Sequence, residues 1–452
     1  MTLRLPVPLA LAFLAIVHFP ETASATPPDL LGYGARHIAM GQTGVSFADD
    51  YEAVFSNPAG LGRARTTGLR IGMLFAPYAL RLDDAPFVSP DVEGGLKKAE
   101  MASGMMIGFQ LPIPFGKPLE DVLTLGAGFY TPNNAVLRVD LPYTDIPQWP
   151  ILGRAHSVSV NVGLGADLGK WVPGLRLGVG VAALASIIGR LTVRIDEAKR
   201  FTSQTENQIL ADFTPVAGVS YDHKDFRFGL SYRGETRADI DLRVNVEGFP
   251  IEFPEITITA LAQYAPHSLA AEAAWVYDHR LLIALNLTWR RWSAYPGTLG
   301  KTTADSHVPR APEFSDTVSP KIGIEYTHRH GAFRIMGRGG YLFEPTPSPP
   351  ARLAERRDYF DDDISGRTVP FRYLDSHRHI LSAGFGFDWH SKSGAILNGD
   401  LFFAPQRISK RTHQIGKVTE AEAEETGREA SASNMVSQGW IFTSGVALGV
   451  SW

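Results

Sequence analysis

The chain has 452 residues, a formal net charge of −4, 44 glycines, 10% aromatic residues and no cysteine. The lack of cysteine excludes a disulfide framework and any thiolate metal site, and a mild charge with no basic block argues against nucleic acid as a partner. A mean hydropathy of −0.05 suits a soluble protein, yet it equally suits a membrane β-barrel, whose strands expose apolar residues only at alternate positions.

Residues 1–25 read as a signal peptide. Basic Arg4, an apolar stretch reaching Val17 and the Ala23-Ser24-Ala25 cleavage pattern put the start of the mature chain at Thr26. Beyond this point no apolar run attains the roughly 18 residues of a membrane-spanning helix. An exported chain of this kind is periplasmic, secreted or an outer-membrane barrel.

Residues 26–65 are rich in Gly, Ala and small polar residues and carry no sustained period of two. They are read as a periplasmic arm or as a plug inside a barrel. Asn57-Pro58-Ala59-Gly60 has the chemistry of a turn. Proline fixes φ, asparagine bonds to nearby backbone and glycine permits positive φ. An ordinary loop would look the same. Asp49, Asp50 and Glu52 lie just upstream. An acid enclosed by a barrel requires a cationic partner on the wall, because burying an unpaired charge is costly.

From residue 66 the sequence alternates. Val158, Val160, Val162 and Leu164 interleave with Ser159, Asn161 and Gly163, and Leu381, Ala383, Phe385, Phe387 and Trp389 interleave with Ser382, Gly384, Gly386 and Asp388. Such runs predict strands with one apolar face and one small or polar face. Fourteen are expected, near 66–75, 101–111, 121–131, 155–168, 175–188, 211–221, 226–246, 256–276, 281–293, 320–327, 333–343, 379–389, 395–404 and 438–452. Short connections (112–120, 169–174, 222–225, 277–280, 328–332, 390–394) alternate with long ones (76–100, 132–154, 189–210, 247–255, 294–319, 344–378, 405–437). Short turns on one side and long loops on the other are the mark of an outer-membrane barrel. The fold class is therefore all-β: a transmembrane antiparallel β-barrel of about fourteen strands over 66–452, with a small N-terminal plug over 26–65.

The final strand carries this reading furthest. Trp440, Phe442, Val446, Leu448, Val450 and Trp452 share one parity, and the opposite parity holds small or polar residues with the single exception of Ile441. A membrane strand needs about 9–11 tilted residues bounded by aromatic girdles. Trp149, Trp171, Trp275, Trp289, Trp292, Trp389, Trp440 and Trp452 are the girdle candidates.

Seven arginines fall at lumen parity: Arg70, Arg176, Arg227, Arg233, Arg290, Arg334 and Arg338. They are candidates to anchor the plug or to receive a carboxylate ligand, since Arg matches carboxylate bidentately; a solvated, salt-bridged lumen would also use them. In the long connection 189–210, Leu191, Val193, Phe201, Ile209 and Leu210 are candidates for an apolar ligand groove. The alternatives there are strands extended above the membrane, or loops packed on one another. Enzyme signals are poor. There is no G-x-S-x-G elbow, Gly297-Thr298-Leu299-Gly300-Lys301-Thr302 lacks P-loop spacing, Asp361-Asp362-Asp363 reads as a solvated acidic run, and His377 with His379 lacks further ligands for a metal. No enzyme activity, metal or other cofactor is expected.

The plug segment GARHIAMGQTGVSFADDYEAVFSNPAGLG resembles the N-terminal hatch of the FadL family of outer-membrane transporters, with Asn57-Pro58-Ala59 as its NPA motif. YAPHSLAAEAAWVYDHRLLIALNLTWRRWSAY (264–295), GGYLFEPTPSPP (339–350) and LDSHRHILSAGFGFDW (374–389) resemble later stretches of that family in the same order. In the last of these, His377 stands where an acid is usual. The resemblance implies a cell outer membrane barrel whose hatch gates diffusion of hydrophobic small molecules, long-chain fatty acids foremost. It implies a gating role for Asn57, Pro58 and Ala59. It also implies a sideways opening made by a kinked early strand, for which Pro112, Pro114 and Pro132 are the candidates here. Aromatic hydrocarbons are the alternative cargo, and a structural or adhesive barrel is the alternative role. Expected partners are outer-membrane lipid including lipopolysaccharide and the barrel assembly machinery. A monomer is expected, because one chain supplies enough strands to close.

Overall fold

The computed structural model describes residues 27–83, 101–133, 158–195, 201–247, 256–297, 313–349, 353–355, 368–370, 374–415 and 433–452. The expected signal peptide 1–25, Trp149, the acidic run 361–363 and residues 298–302 lie outside them.

Each alternating stretch becomes a stave of one sheet, because a period of two puts every second side chain on the same face. In chain order the strands are β1 (Gly68–Ala76), β2 (Tyr78–Asp83), β3 (Ala102–Pro112), β4 (Leu123–Pro132), β5 (Ser159–Asp167), β6 (Leu175–Ile195), β7 (Phe201–His223), β8 (Phe226–Arg233), β9 (Thr236–Glu247), β10 (Ile256–Ala265), β11 (Ser268–Tyr277), β12 (Leu281–Arg290), β13 (Thr317–His330), β14 (Phe333–Glu344), β15 (Leu353–Glu355), β16 (Thr368–Pro370), β17 (Arg378–His390), β18 (Ile396–Ile415) and β19 (Ser433–Ser451). The wall runs β1, β3, β4, β5, β6, β7, β8, β11, β12, β13, β14, β17, β18, β19, each antiparallel to the next. β19 then returns to β1, from Gly68↔Ser451 to Phe75↔Ser444. The result is a closed fourteen-strand barrel, and closure leaves the wall no unpaired seam.

The outward parity is apolar. Leu285, Leu381 and Leu448 are 59%, 63% and 62% exposed, which water would penalise and hydrocarbon would not. The inward parity is buried by the N-terminal segment, which lies within the wall as three short helices and a turn. These are α1 (Pro27–Leu31), α2 (Ala35–Ala39), α3 (Ala53–Ser56) and a 3-10 turn over Pro58–Arg63.

Four details depart from the alternation reading. The stretch 189–210, expected as a loop, is a strand hairpin whose register continues to Ile195↔Phe201. The expected strand 226–246 breaks after Arg233, and 256–276 breaks at Pro266 and His267. β8 keeps β7 and β11 as neighbours, whereas β9 pairs antiparallel with β10 and parallel with β6, from Ile187↔Ile240 to Arg194↔Glu247. A period of two persists through a change of partner, so the sequence pattern does not reveal the break. β2 follows Pro77 and pairs with β19 alone among the described strands (Ala79↔Trp440). Finally, the β3–β4 ladder runs without a register shift from Gly104↔Pro132 to Pro112↔Thr124. Pro112 and Pro132 sit at strand ends and Pro114 lies beyond, so none of them interrupts this part of the wall.

Candidate functional site: the plugged lumen

The plug packs directly on wall backbone. At Gly108 of β3 an added Cβ would stand 1.7 Å from the ring of Tyr51, so only glycine lets the plug approach there. Tyr33 Oη donates to Ile107 O (3.2 Å), Gln406 Nε2 to Leu30 O (3.3 Å) and Thr124 Oγ1 to Ala64 O (3.4 Å). Gly41 N donates to Ser382 Oγ (2.8 Å), whose hydroxyl donates onward to Ala39 O (3.0 Å).

Asn57 is fully buried between α3 and the 3-10 turn. Its Nδ2 donates to Val45 O (2.7 Å) inside the plug and to Val219 O (3.0 Å) on β7, while Oδ1 accepts from Ala59 N (3.0 Å). The side chain thus ties one plug loop to another and both to the wall. Pro58 opens the turn, where its missing N–H costs nothing, and Pro58 and Ala59 are buried.

Charge binds the plug more widely. Arg36 of α2 makes a two-pronged contact with Glu325 of β13, Nη2 to Oε1 at 2.7 Å and Nε to Oε2 at 2.9 Å. Arg338 Nε also reaches Glu325 (2.7 Å), and its Nη1 reaches Asp400 Oδ1 (2.5 Å). Asp400 takes Arg70 Nη1 (2.8 Å), and Arg70 Nη2 lies 3.6 Å from Asp50 of the plug. This chain of alternating charges begins and ends on the plug and crosses β13, β14, β18 and β1 between. A second carboxylate, Glu272 of β11, accepts from Gly44 N (2.9 Å), Ser46 N (2.9 Å), Ser46 Oγ (2.7 Å) and Asn286 Nδ2 (3.0 Å). Near the short turns, Arg63 of the plug meets Asp222 (2.5 Å), which Arg176 also contacts (2.7 Å).

Within the plug, Glu52 accepts Arg36 N (3.1 Å) and His37 N (2.9 Å) at the start of α2. Burial, followed by the neighbouring Asp50 charge, pushes its carboxyl up to about 8. Burial and then the Lys321 charge hold the His37 imidazole down at about 3, so it is neutral, and its Nδ1 has no hydrogen-bond partner among the described residues.

The seven arginines occupy inward positions. Arg70, Arg176 and Arg338 belong to the networks above. Arg233 donates to Asn161 Oδ1 (3.1 Å) and to Phe55 O of the plug (2.8 Å), and lies 4.7 Å over the Phe55 ring. Arg290 faces Glu344 (3.2 Å), Arg334 Nε donates to Asp388 Oδ2 (2.6 Å), and Arg227 is half-buried on β8 beside the short turn. Leu191 and Val193 lie on β6, and Phe201, Ile209 and Leu210 on β7. Of these only Leu210 has a described side chain, and it is exposed. The wall acids Glu272, Glu325, Asp222 and Asp400 are not among the residues that the sequence pattern singles out. Their inward parity among small and apolar residues, as in Ser268-Leu269-Ala270-Ala271-Glu272, is the signal that would have found them.

Beside the plug, on the long-connection half, the inward positions are apolar. Leu74, Met106, Ile380, Phe402, Ile408 and Ile441 are buried in one cluster with Leu30 and Leu31 of α1. Tyr78 Oη and Tyr130 Oη are buried there without a hydrogen-bond partner among the described residues. Trp292, expected in the girdle, is buried instead. It stacks on Tyr264 (centroids 5.2 Å apart) in a cluster with Tyr295 and Phe314.

No family model matches the sequence, and no curated protein matches it. Solved structures do. A Pseudomonas aeruginosa FadL homologue is 13% identical with a TM-score of 0.58, covering 95% of this chain and 98% of that one. The CymD monoaromatic hydrocarbon channel is 13% identical with a TM-score of 0.51, over 94% and 98%. The P. putida toluene transporter TodX is 13% identical with a TM-score of 0.50, over 93% and 99%. The chain therefore has the plugged fourteen-strand fold of these channels, over nearly their whole length.

Proposed function

We propose that this protein is an outer-membrane channel for hydrophobic small molecules, with long-chain fatty acids as cargo and the 26–65 segment as a hatch over the lumen. The observation that carries the reading is the apolar cluster of inward-facing Leu74, Met106, Ile380, Phe402, Ile408 and Ile441 on the long-connection side of the plug. A water-filled pore has a polar interior; this interior suits a cargo that avoids water. The shared fold with a FadL homologue and with transporters of toluene and monoaromatic hydrocarbons supports it. Asn57, Pro58 and Ala59 form the hinge region of the hatch in this reading. Leu191, Val193, Phe201, Ile209 and Leu210 form part of the surface that first adsorbs ligand. Serine at both Leu191 and Phe201 weakens ligand binding, and unchanged affinity would eliminate that surface.

One observation favours a second cargo class, neutral aromatic hydrocarbons. Arg70, Arg176, Arg290, Arg334 and Arg338 already face carboxylates, which leaves them committed before a fatty-acid carboxylate arrives. The test is uptake of a labelled long-chain fatty acid, and in parallel of labelled toluene, by cells lacking their own outer-membrane transporter for either. Gain of fatty-acid uptake on expressing this chain supports the first reading, and gain for toluene alone supports the second. A folded barrel that restores neither is a structural or adhesive one.

A further inference from the structure

The outward wall of β17 and β18 is apolar through Phe387, Phe385, Leu381, Leu401 and Phe403, and then changes chemistry along one row that extends onto β14 and β19. Register sets Phe343 beside His379, His379 beside Arg407, and Arg407 beside Trp440. Directly paired residues share a face of the sheet. One step further from the short turns, Ser409 N donates to His377 O (2.9 Å) and Gln438 pairs with Arg81 of β2. His377, Arg407, Lys410 and Arg81 are all exposed.

The height of this row is fixed by the strand. Trp389 and His379 lie ten residues apart on β17. At ~3.3 Å per residue and ~45° tilt that is about 23 Å along the membrane normal, close to the roughly 25 Å apolar band of such barrels. Trp389 precedes the short turn into β18. The cations therefore stand at the opposite boundary, on the long-connection side, where hydrocarbon gives way to headgroups.

Their hydrogen-bonding capacity is open. Arg407, Lys410 and Arg81 have no ion-pair or side-chain hydrogen-bond partner among the described residues. Thr346 N donates to His377 Nδ1 (3.1 Å), which puts the ring proton on Nε2. Tyr341 Oη lies 2.8 Å from His379 Nδ1, and with the hydroxyl donating, Nε2 is again the N–H. Two acids lie near. Asp83 accepts from Gln438 (3.2 Å) and Asp375 accepts from Thr346 Oγ1 (2.6 Å). Arg407, Lys410 and Arg81 outnumber these two among the described residues, and unpaired cations at headgroup depth attract lipid anions.

We propose that this face of β17 and β18 binds the phosphate headgroup of a phosphorylated glycolipid in the adjoining leaflet. Arg407 supplies the paired donors that suit phosphate geometry. His377 and His379 donate through Nε2, and Phe343 and Trp440 flank the upper ends of the acyl chains. The proposal rests on the outer-membrane placement above, and not on the cargo.

The test uses the full-length folded barrel, purified in detergent and titrated with lipid A or with the same lipid stripped of its phosphates, with bound lipid counted by native mass spectrometry. The wild type binds the phosphorylated form about tenfold more tightly. The double variant Arg407→Ser, His379→Gln loses that preference while binding the stripped lipid as before. Arg291→Ser, an exposed arginine elsewhere on the wall, keeps it. Equal binding of both lipids by the wild type overturns the proposal, as does an unchanged preference in the double variant. So does displacement of lipid A by millimolar inorganic phosphate, which would mark a free-anion site. Density-gradient fractionation separates the two failures. A barrel recovered in the outer membrane without lipid preference sinks this inference alone, and one recovered elsewhere sinks the placement on which it rests.

Discussion

Asn57 of the plug and Gly218 of β7 touch so closely that a Cβ added at Gly218 would fall 1.8 Å from Asn57 Oδ1. The asparagine can hold Val219 O only because its neighbour on the strand has no side chain. Gly218→Ala therefore displaces Asn57 without altering its chemistry. Asn57→Ala instead removes the donor to the buried Val45 carbonyl and the part-buried Val219 carbonyl, and the acceptor of the buried Ala59 N–H. Each unsatisfied group costs about 1–3 kcal/mol. Both variants are expected to loosen the plug while the barrel still forms, read as faster amide exchange over 40–62 with an unchanged heat-shifted gel band. Loss of the folded band would make the pair a requirement of assembly instead.

Glu325 joins Arg36 of the plug to Arg338 of the wall. Glu325→Gln removes the charge that both guanidinium groups share and leaves Arg36 with Asp49 and Arg338 with Asp400, so the cost falls below the about 3–5 kcal/mol of breaking an isolated buried pair. Single-channel recordings in planar bilayers should show larger or more frequent openings than the wild type. Identical traces would exclude this link as a restraint on the plug.

The plug has a pH window. Glu52 is raised from 4.5 to about 8, so between these values the released plug gives up a proton that the docked one keeps, and docking weakens as pH rises. His37 is lowered from 6.5 to about 3, so between those values the released plug gains a proton that the docked one refuses, and docking weakens as pH falls. The two opposing slopes overlap between about 4.5 and 6.5, which sets a plateau of greatest plug protection. Hydrogen exchange of the plug amides, corrected for intrinsic rates at each pH, should speed up on either side of it. Glu52→Gln should abolish the alkaline decline and turn the plateau into a continued rise that ends near 6.5, where the His37 slope ends.

Tyr130 buries its hydroxyl among apolar neighbours without a hydrogen-bond partner among the described residues. Tyr130→Phe removes an unsatisfied group and keeps the ring, so a stability gain of about 1 kcal/mol is expected, seen as a higher temperature for the gel shift. A drop in that temperature would mean that the hydroxyl is engaged in the folded barrel.

The wall was legible in the sequence because a membrane strand advertises its two faces in every pair of residues. The pattern places all fourteen staves, the lumen side of the seven arginines and the seam strand ending at Trp452. It could not show where a strand changes neighbours. The steps at Gly234 and Glu235 and at Pro266 and His267 leave the alternation intact, so β9 and β10 read as simple extensions. Nor does the pattern separate a loop at 189–210 from a hairpin raised above the membrane, since the length of the connection is compatible with both. The plug was recognisable by composition and by resemblance, but its attachments were not. Arginines draw attention as anchors, whereas Glu272 does as much through four donors, three of them on the plug and two of those backbone N–H groups. Trp292 looked like a girdle residue because its neighbours are; its burial against Tyr264 depends on a chain reversal after Arg290.

The plug touches β1 through Arg70, β3 through Ile107, β7 through Val219, β8 through Arg233, β11 through Glu272, β13 through Glu325, β17 through Ser382 and β18 through Gln406. These attachments lie all around the ring, and the seam between β1 and β19 joins the two ends of the wall. A ring closed first would have to admit a folded object whose side chains interlock with its inner surface on every side. A wall that curls around a plug already seated against its early strands meets no such obstacle. The contacts thus give the segment the geometry of a mandrel: seating it before the β1–β19 seam closes avoids threading it past an inner surface that interlocks with it.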